Sequence, residues 1–186
     1  MESEMVLPGD FLGTSEEYIL GDGVYDDEGN LYALYIGDVS ISDKRVISVV
    51  PKVETPPVIK DGDVVIGQIG DIKDTVAVVS IACVEGKENR EIAAVNQGII
   101  HISNVRNGYV NELRQEFGYL DVVKAKVIDA KALRLSTEGK ELGVVRAICA
   151  KCKGTLKRKE DNTLSCDICE RVETRNLSDD YGTCLV

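Results

Sequence analysis

Apolar residues come in short bursts along this chain, separated by turn chemistry. Between Val6 and Lys52 the punctuation is Gly-Asp, Gly-Asp-Gly and Glu-Gly-Asn. Leu31–Ile36 and Val46–Val50 follow two of these clusters and read as strands. No helical period is visible, so the segment predicts a small β-barrel or sandwich. Asp26-Asp27-Glu28 reads as a solvated hairpin tip rather than a cation site. Val53–Val58, with Pro56-Pro57, is stiff and extended and marks a boundary.

The pattern then repeats on a larger scale. Asp61-Gly62-Asp63 is a turn, followed by strands at Val64–Ile69 and Thr75–Ile81. Residues 82–97 form a polar excursion, and Gly98–Ser103 reads as a third strand. Tyr109, Leu113 and Phe117 stand four apart, which predicts a short helix over 109–117 closed by Gly118. Asp121–Asp129 alternates: Val123, Ala125 and Val127 face one side, Lys124 and Lys126 the other. Leu133–Ser136 ends the set. Five strands with a helix before the fourth is the order of an OB-type barrel.

The third pattern is chemical. Cys149-x-x-Cys152 and Cys166-x-x-Cys169 are separated by residues 153–165, which read as a hairpin turning at Asp161-Asn162. Two such pairs meeting face to face form a tetrahedral thiolate cage, the donor set of one structural zinc ion. A redox role needs one pair at the start of a helix in a βαβ setting, and disulfides need an oxidising compartment; the sequence points to neither. Four thiolates leave the metal no open position for water or substrate, so it holds a fold and does not catalyse. Cys83 sits in an apolar run and reads as core, while Cys184 carries no signal. Lys151, Lys153, Lys157, Arg158, Lys159 and Arg171 surround the quartet. Their charge offsets the −2 of a zinc tetrathiolate.

The fold class is therefore all-β and multi-domain: an N-terminal β-domain (1–57), an OB barrel (58–141), and a zinc ribbon with its tail (142–186). Charge sharpens the division. The 186 residues carry a net −10. Residues 1–60 hold 12 acids and 4 bases, residues 61–140 hold 12 and 10, and residues 141–175 hold 6 and 8. An acidic field argues against tight non-specific nucleic-acid binding, but it leaves room for a local RNA face and for a basic partner of the first module. No apolar run approaches the length of a membrane span, and a cytoplasmic home is expected. No phosphate-cradling loop, nucleophile elbow or His-Glu metal motif is present, and there is one histidine. The chain does not read as an enzyme.

GDVVIGQIGDI, GIIHIS, DVVKAKVI and LRLST together resemble the RNA-binding OB domain of ribosomal protein S-one, over about residues 61–138. The resemblance implies RNA contacts from His101, Lys124, Lys126, Arg134 and Arg106. Strand two here is Thr75-Val76-Ala77-Val78-Val79, without the aromatic that stacks bases in that family. Stacking is worth about 1–3 kcal/mol per base, so weak RNA binding per copy is expected. The order of β-domain, OB domain and ribbon, with VLPGDFLGTSEEY and GDGVYDDEGNLYA at the start, resembles the cap subunits of archaeal RNA exosomes. That resemblance implies a non-catalytic subunit recruiting single-stranded RNA to the pore of a hexameric ring for 3′-end processing and degradation. It also implies three copies, a ring-docking N-terminal domain, and a C-terminal region able to meet a primase-like accessory subunit. A zinc-ribbon and OB-domain transcription or translation factor is the alternative.

Overall fold

The computed structural model describes residues 5–53, 55–92, 96–160 and 162–183. They fall into two compact units, residues 1–55 and 56–186.

The first unit holds seven short strands: β1 (Met5–Val6), β2 (Phe11–Thr14), β3 (Ile19–Leu20), β4 (Val24–Asp27), β5 (Asn30–Ala33), β6 (Gly37–Ile41) and β7 (Val46–Pro51). One sheet has the order β1-β6-β7-β3 and a second the order β2-β5-β4. Val6, Val24, Leu31, Ala33, Ile47 and Val49 form its core. The β4–β5 hairpin turns at Glu28 (φ 53°) and Gly29 (φ 88°), and Gly29 N–H donates to Asp26 Oδ1 at 2.9 Å. Two consecutive positive φ values match the right-handed twist of the hairpin. The acidic run is thus an exposed tip. The strand expected to continue to Ile36 stops at Ala33, because Leu34 N–H bonds back to Gly23 O and the chain then crosses to the other sheet.

The second unit is built on a closed barrel. Its strands are β8 (Val64–Ile72), β9 (Val76–Val84), β10 (Gln97–His101), β11 (Val122–Asp129) and β12 (Arg134–Ser136), with α1 (Leu113–Glu116) between β10 and β11. The sheet runs β12-β10-β9-β8-β11, and the β11–β12 pairing closes it. Alternation places Val65, Ile69, Ala77, Val79, Ile81, Ile100, Val123, Ala125, Val127 and Leu135 inside. Phe117 and Leu113 plug the barrel and are almost fully buried. Gly98, the first residue of the GIIHIS run, has a structural reason: a Cβ there would lie 2.6 Å from Leu135 Cδ1. Cys83 is buried on β9, as expected of a core thiol.

Three features differ from the sequence reading. The helix is one turn, not nine residues: Gly108 takes φ 138°, Tyr109 stands out of the fold at 86% exposed, and Val110 turns inward in its place. Gly118 does not cap that helix through a positive φ. Its missing side chain leaves room for the Arg175 guanidinium, on which a Cβ would collide. A further strand, β13 (Gly143–Arg146), pairs antiparallel with β11, setting Gly143 opposite Lys124.

Beyond β13 lie β14 (Leu156–Glu160), β15 (Thr163–Cys166) and β16 (Val172–Thr174), a three-stranded antiparallel sheet. Asp161, half of the expected turn, and Cys184 fall outside the described residues. Leu156, Leu164, Cys149 and Cys166 belong to the same apolar cluster as the barrel interior.

Candidate metal centre and nucleic-acid interface

Each Cys-x-x-Cys pair is shaped by its own backbone. Lys153 N–H bonds to Cys149 O at 3.0 Å, and Glu170 N–H to Cys166 O at 2.9 Å. Lys153 (φ 62°) and Glu170 (φ 57°) each adopt the left-handed conformation that reverses the chain after the second cysteine. The four sulfurs converge within 4.8 Å of one another, with Cys149–Cys169 at 3.6 Å and Cys152–Cys166 at 3.3 Å. Zinc–thiolate bonds of about 2.3 Å in a tetrahedron place sulfurs about 3.8 Å apart, so the donor set fits one ion. The backbone N–H groups of Cys169 and Ile168 hold the Cys166 thiol down at about 7, while at its partner Cys152 the lowering pull of the Gly154 amide is outweighed by the Cys166 hydrogen bond and burial, which push that thiol up to about 12.

A buried charge network joins this centre to the barrel. Arg175 donates from Nε to Asp121 Oδ2 at 2.7 Å and from Nη2 to Glu173 Oε2 at 2.5 Å. Glu173 Oε1 accepts from Ala150 N–H at 3.1 Å, inside the first cysteine pair, and lies 3.7 Å from Cys149 Sγ. Asp121 also accepts from Gly118 N–H and Ile148 N–H. Burial pushes the Asp121 carboxyl up, and Arg175 with the two amides opposes that push. Of the basic residues around the quartet, Lys157 pairs with Asp167 at 2.5 Å and Arg171 with Glu173 at 3.4 Å.

The five residues expected at RNA are not equivalent. On β10, Gln97, Ile99 and His101 are exposed and point away from the core. Ile99 lies beside Arg134 of β12 in parallel register, and Lys126 of β11 lies opposite Ser136. His101, Arg134 and Lys126 therefore share the outer barrel face. Ser103 fixes the His101 ring, with Nδ1 to Oγ at 2.8 Å. Arg106 is displaced from this set: it leaves the strand and pairs with the nearly buried Glu116 at 2.9 Å. Lys124 is covered. Its side chain is only 11% exposed, and Nζ contacts Glu85 at 2.6 Å and Asp180 at 3.2 Å. The alternation along β11 is as expected, but Glu85 and Asp180 close on the Lys124 head, while β13 pairs alongside with Gly143 opposite it.

One surface of the first unit was not singled out from the sequence. Phe11, Tyr32 and Tyr25 occupy neighbouring positions on β2, β5 and β4. Phe11 and Tyr32 meet edge-on at 5.9 Å, and Tyr32 stacks on Tyr25 at 5.6 Å. Phe11 is 59% exposed although its neighbours on the opposite face form the core. The parity of Tyr25 and Tyr32 against buried Val24, Leu31 and Ala33 is the signal that could have found it.

Comparison with known proteins bears on the whole arrangement. A family model described as the exosome complex exonuclease RRP4 N-terminal region matches residues 5–42. The exosome complex component Csl4 of Archaeoglobus fulgidus is 43% identical over 177 residues, covering 95% of this chain and 96% of that protein. The chain belongs to the Csl4 family of exosome components. The exosome complex component Rrp4 of Methanothermobacter thermautotrophicus is 29% identical over 148 residues, and that of Methanobrevibacter smithii 30% over 146. These matches cover 78% and 77% of the chain but only 43% and 44% of each Rrp4 protein. The Csl4 match covers 95% of the chain and so spans both units.

Proposed function

We propose that this chain is a non-catalytic, RNA-binding cap subunit of an RNA-degrading exosome, serving RNA 3′-end processing and degradation in the cytoplasm. The observation that carries the reading is the near end-to-end match to Csl4, at 43% identity. Its partners are single-stranded RNA and the subunits of a hexameric catalytic ring, on which three copies sit. The primase-like accessory subunit meets the C-terminal region. The working division is 1–57 for docking, 58–141 for RNA, and 142–186 for the ribbon and tail.

The metal is one structural zinc, held by Cys149, Cys152, Cys166 and Cys169. The tetrahedral fit of the sulfurs supports it, and the closed ligand set gives it no catalytic position. RNA crosses the outer barrel face at His101, Lys126 and Arg134. Lys124 and Arg106 act within the chain, since their charges are paired with Glu85, Asp180 and Glu116. With Lys126 and Arg134 the two cations left of the expected set, affinity comes from several copies around one pore. The Phe11–Tyr32–Tyr25 face is the dock: an exposed aromatic row on an acidic unit suits a basic protein surface, because aromatic faces and carboxylates both attract Arg and Lys. Gel filtration with the ring subunits tests the proposal. Co-elution at a fixed stoichiometry supports it, and separate elution overturns it.

A further inference from the structure

Among the described residues, the outer barrel face carries no aromatic platform. β9 presents Val76, Val78 and Ser80 there. Among the described residues the most exposed ring of the same unit is Tyr109, eight residues beyond His101. After His101 the chain makes a 3-10 turn (Ile102–Asn104) and is then pinned by buried Val105. Thr137 Oγ1 donates to Val105 O at 2.7 Å, and Asn104 O accepts from Thr137 N–H at 2.9 Å. The next buried residue is Val110. Residues 106–109 thus form a finger clamped at both ends, with Tyr109 projecting 86% exposed behind Gly108. Apolar burial does not explain an aromatic held out in this way.

A cleft of about 370 Å³ opens beside this finger, lined by Lys73, Asp74, Asn111, Glu112, Leu113 and Arg114. Its far wall is the β8–β9 turn. That turn is fixed to the RNA-facing strand, since Ile102 N–H donates to Thr75 O at 2.9 Å and His101 pairs with Val76. The cleft therefore starts within one residue of the His101 strand end. Two cations and two anions line it, so it is not built to trap phosphate. It offers mixed donors and acceptors beside Leu113, and the exposed Tyr109 stands two residues along the chain from Asn111 on its rim. Single-stranded RNA is read by that combination: a base stacks on a ring and its edge meets polar groups. A volume at the low end of the small-ligand range suits one nucleoside.

We propose that this cleft is a nucleobase subsite, in which Tyr109 stacks one base of the single-stranded RNA that passes His101, and Asn111 and Asp74 meet its edge. The inference rests on the RNA-binding reading above and supplies the stacking that strand two lacks.

The chain contains no tryptophan, so Tyr109→Trp installs a sole reporter at an exposed site. Zinc-loaded full-length protein is titrated with single-stranded oligoadenylate, and in parallel a fluorescein-labelled oligoadenylate is followed by anisotropy. Stacking predicts quenching of the tryptophan on RNA addition. It predicts about 5- to 100-fold weaker binding for Tyr109→Ala and no more than about twofold for Tyr109→Phe. An unquenched tryptophan, or Tyr109→Ala binding like wild type, overturns the subsite. Arg134→Ala separates the two levels: if it weakens binding while Tyr109→Ala does not, the subsite falls and the barrel-face reading stands. If wild-type protein leaves the labelled RNA unbound at low salt, both fall.

Discussion

Arg175 reaches back from the end of the ribbon sheet to place Nε 2.7 Å from Asp121 Oδ2, at the entrance to barrel strand β11. Both side chains are almost completely buried, and Glu173 completes the triad beside the first cysteine pair. The metal centre and the barrel therefore share one polar network and one apolar cluster. Removing one member of a buried ion pair costs about 3–5 kcal/mol, because a charge is left without compensation. Arg175→Ala is expected to lower the stability of the second unit by that amount in denaturant unfolding. Asp121→Ala combined with Arg175→Ala should cost less than the sum of the two, which a double-mutant cycle reads directly.

The same network sets the outcome of losing the metal. Cys152→Ser breaks the four-thiolate set, and zinc per chain, measured by atomic emission, should fall below the wild-type value. Ligand binding supplies much of a ribbon's folding energy, so its amides should then exchange faster. The change should spread through Glu173 and Arg175 to the Gly118–Asp121 segment. Exchange in residues 5–53 should be unchanged. Fast exchange confined to 149–169 would show that the network does not transmit the loss.

Lys124 and Lys126 are one turn of the β-repeat apart and are predicted to behave oppositely. Lys126→Glu should weaken RNA binding and flatten its dependence on salt, since a phosphate contact is lost. Lys124→Met should leave the salt slope unchanged and cost about 1 kcal/mol of stability. The hydrogen bond to Glu85, followed by that to Asp180, holds the Lys124 ammonium above its ordinary value of 10.5. A raised amine stabilises the fold fully below 10.5 and loses that contribution as pH rises through its folded value. Wild type should therefore lose stability in that alkaline range more steeply than Lys124→Met. Equal slopes in the two proteins would contradict the assignment.

Much of this was legible in the chain, for identifiable reasons. The cysteine spacing brings the four sulfurs together because two tight turns leave them few other arrangements. The barrel order follows from strand alternation and from one apolar segment before the fourth strand. Three things were not legible. β13 lies past the last patterned strand and shows only in its pairing with β11, and Asp180, which helps to cover Lys124, comes from beyond it. Tyr109 fits a helical period with Leu113 and Phe117, but Gly108 and the inward turn of Val110 broke that period. Arg175 stands outside the cysteine quartet and carries no local pattern. Its role depends on the space left by Gly118, which no local pattern encodes.

The exposed aromatic row of the first unit gives a surface prediction. Phe11→Ser should leave the thermal midpoint nearly unchanged, because an exposed side chain contributes little to folding. It should weaken association with the ring by at least about tenfold if the row is a binding hot spot. A matched substitution at exposed Val53, away from the ladder, is the control. Equal loss from both would dissociate docking from the aromatic face.

Membership of an exosome assembly underlies every role proposed for this chain. Mass-resolved gel filtration of the zinc-loaded chain with the purified catalytic ring subunits tests it most directly. The predicted result is one species containing three copies of this chain per hexameric ring, with RNA retained more tightly than by the ring alone. Elution of the chain as a separate peak, with RNA retention by the ring unchanged, would contradict it.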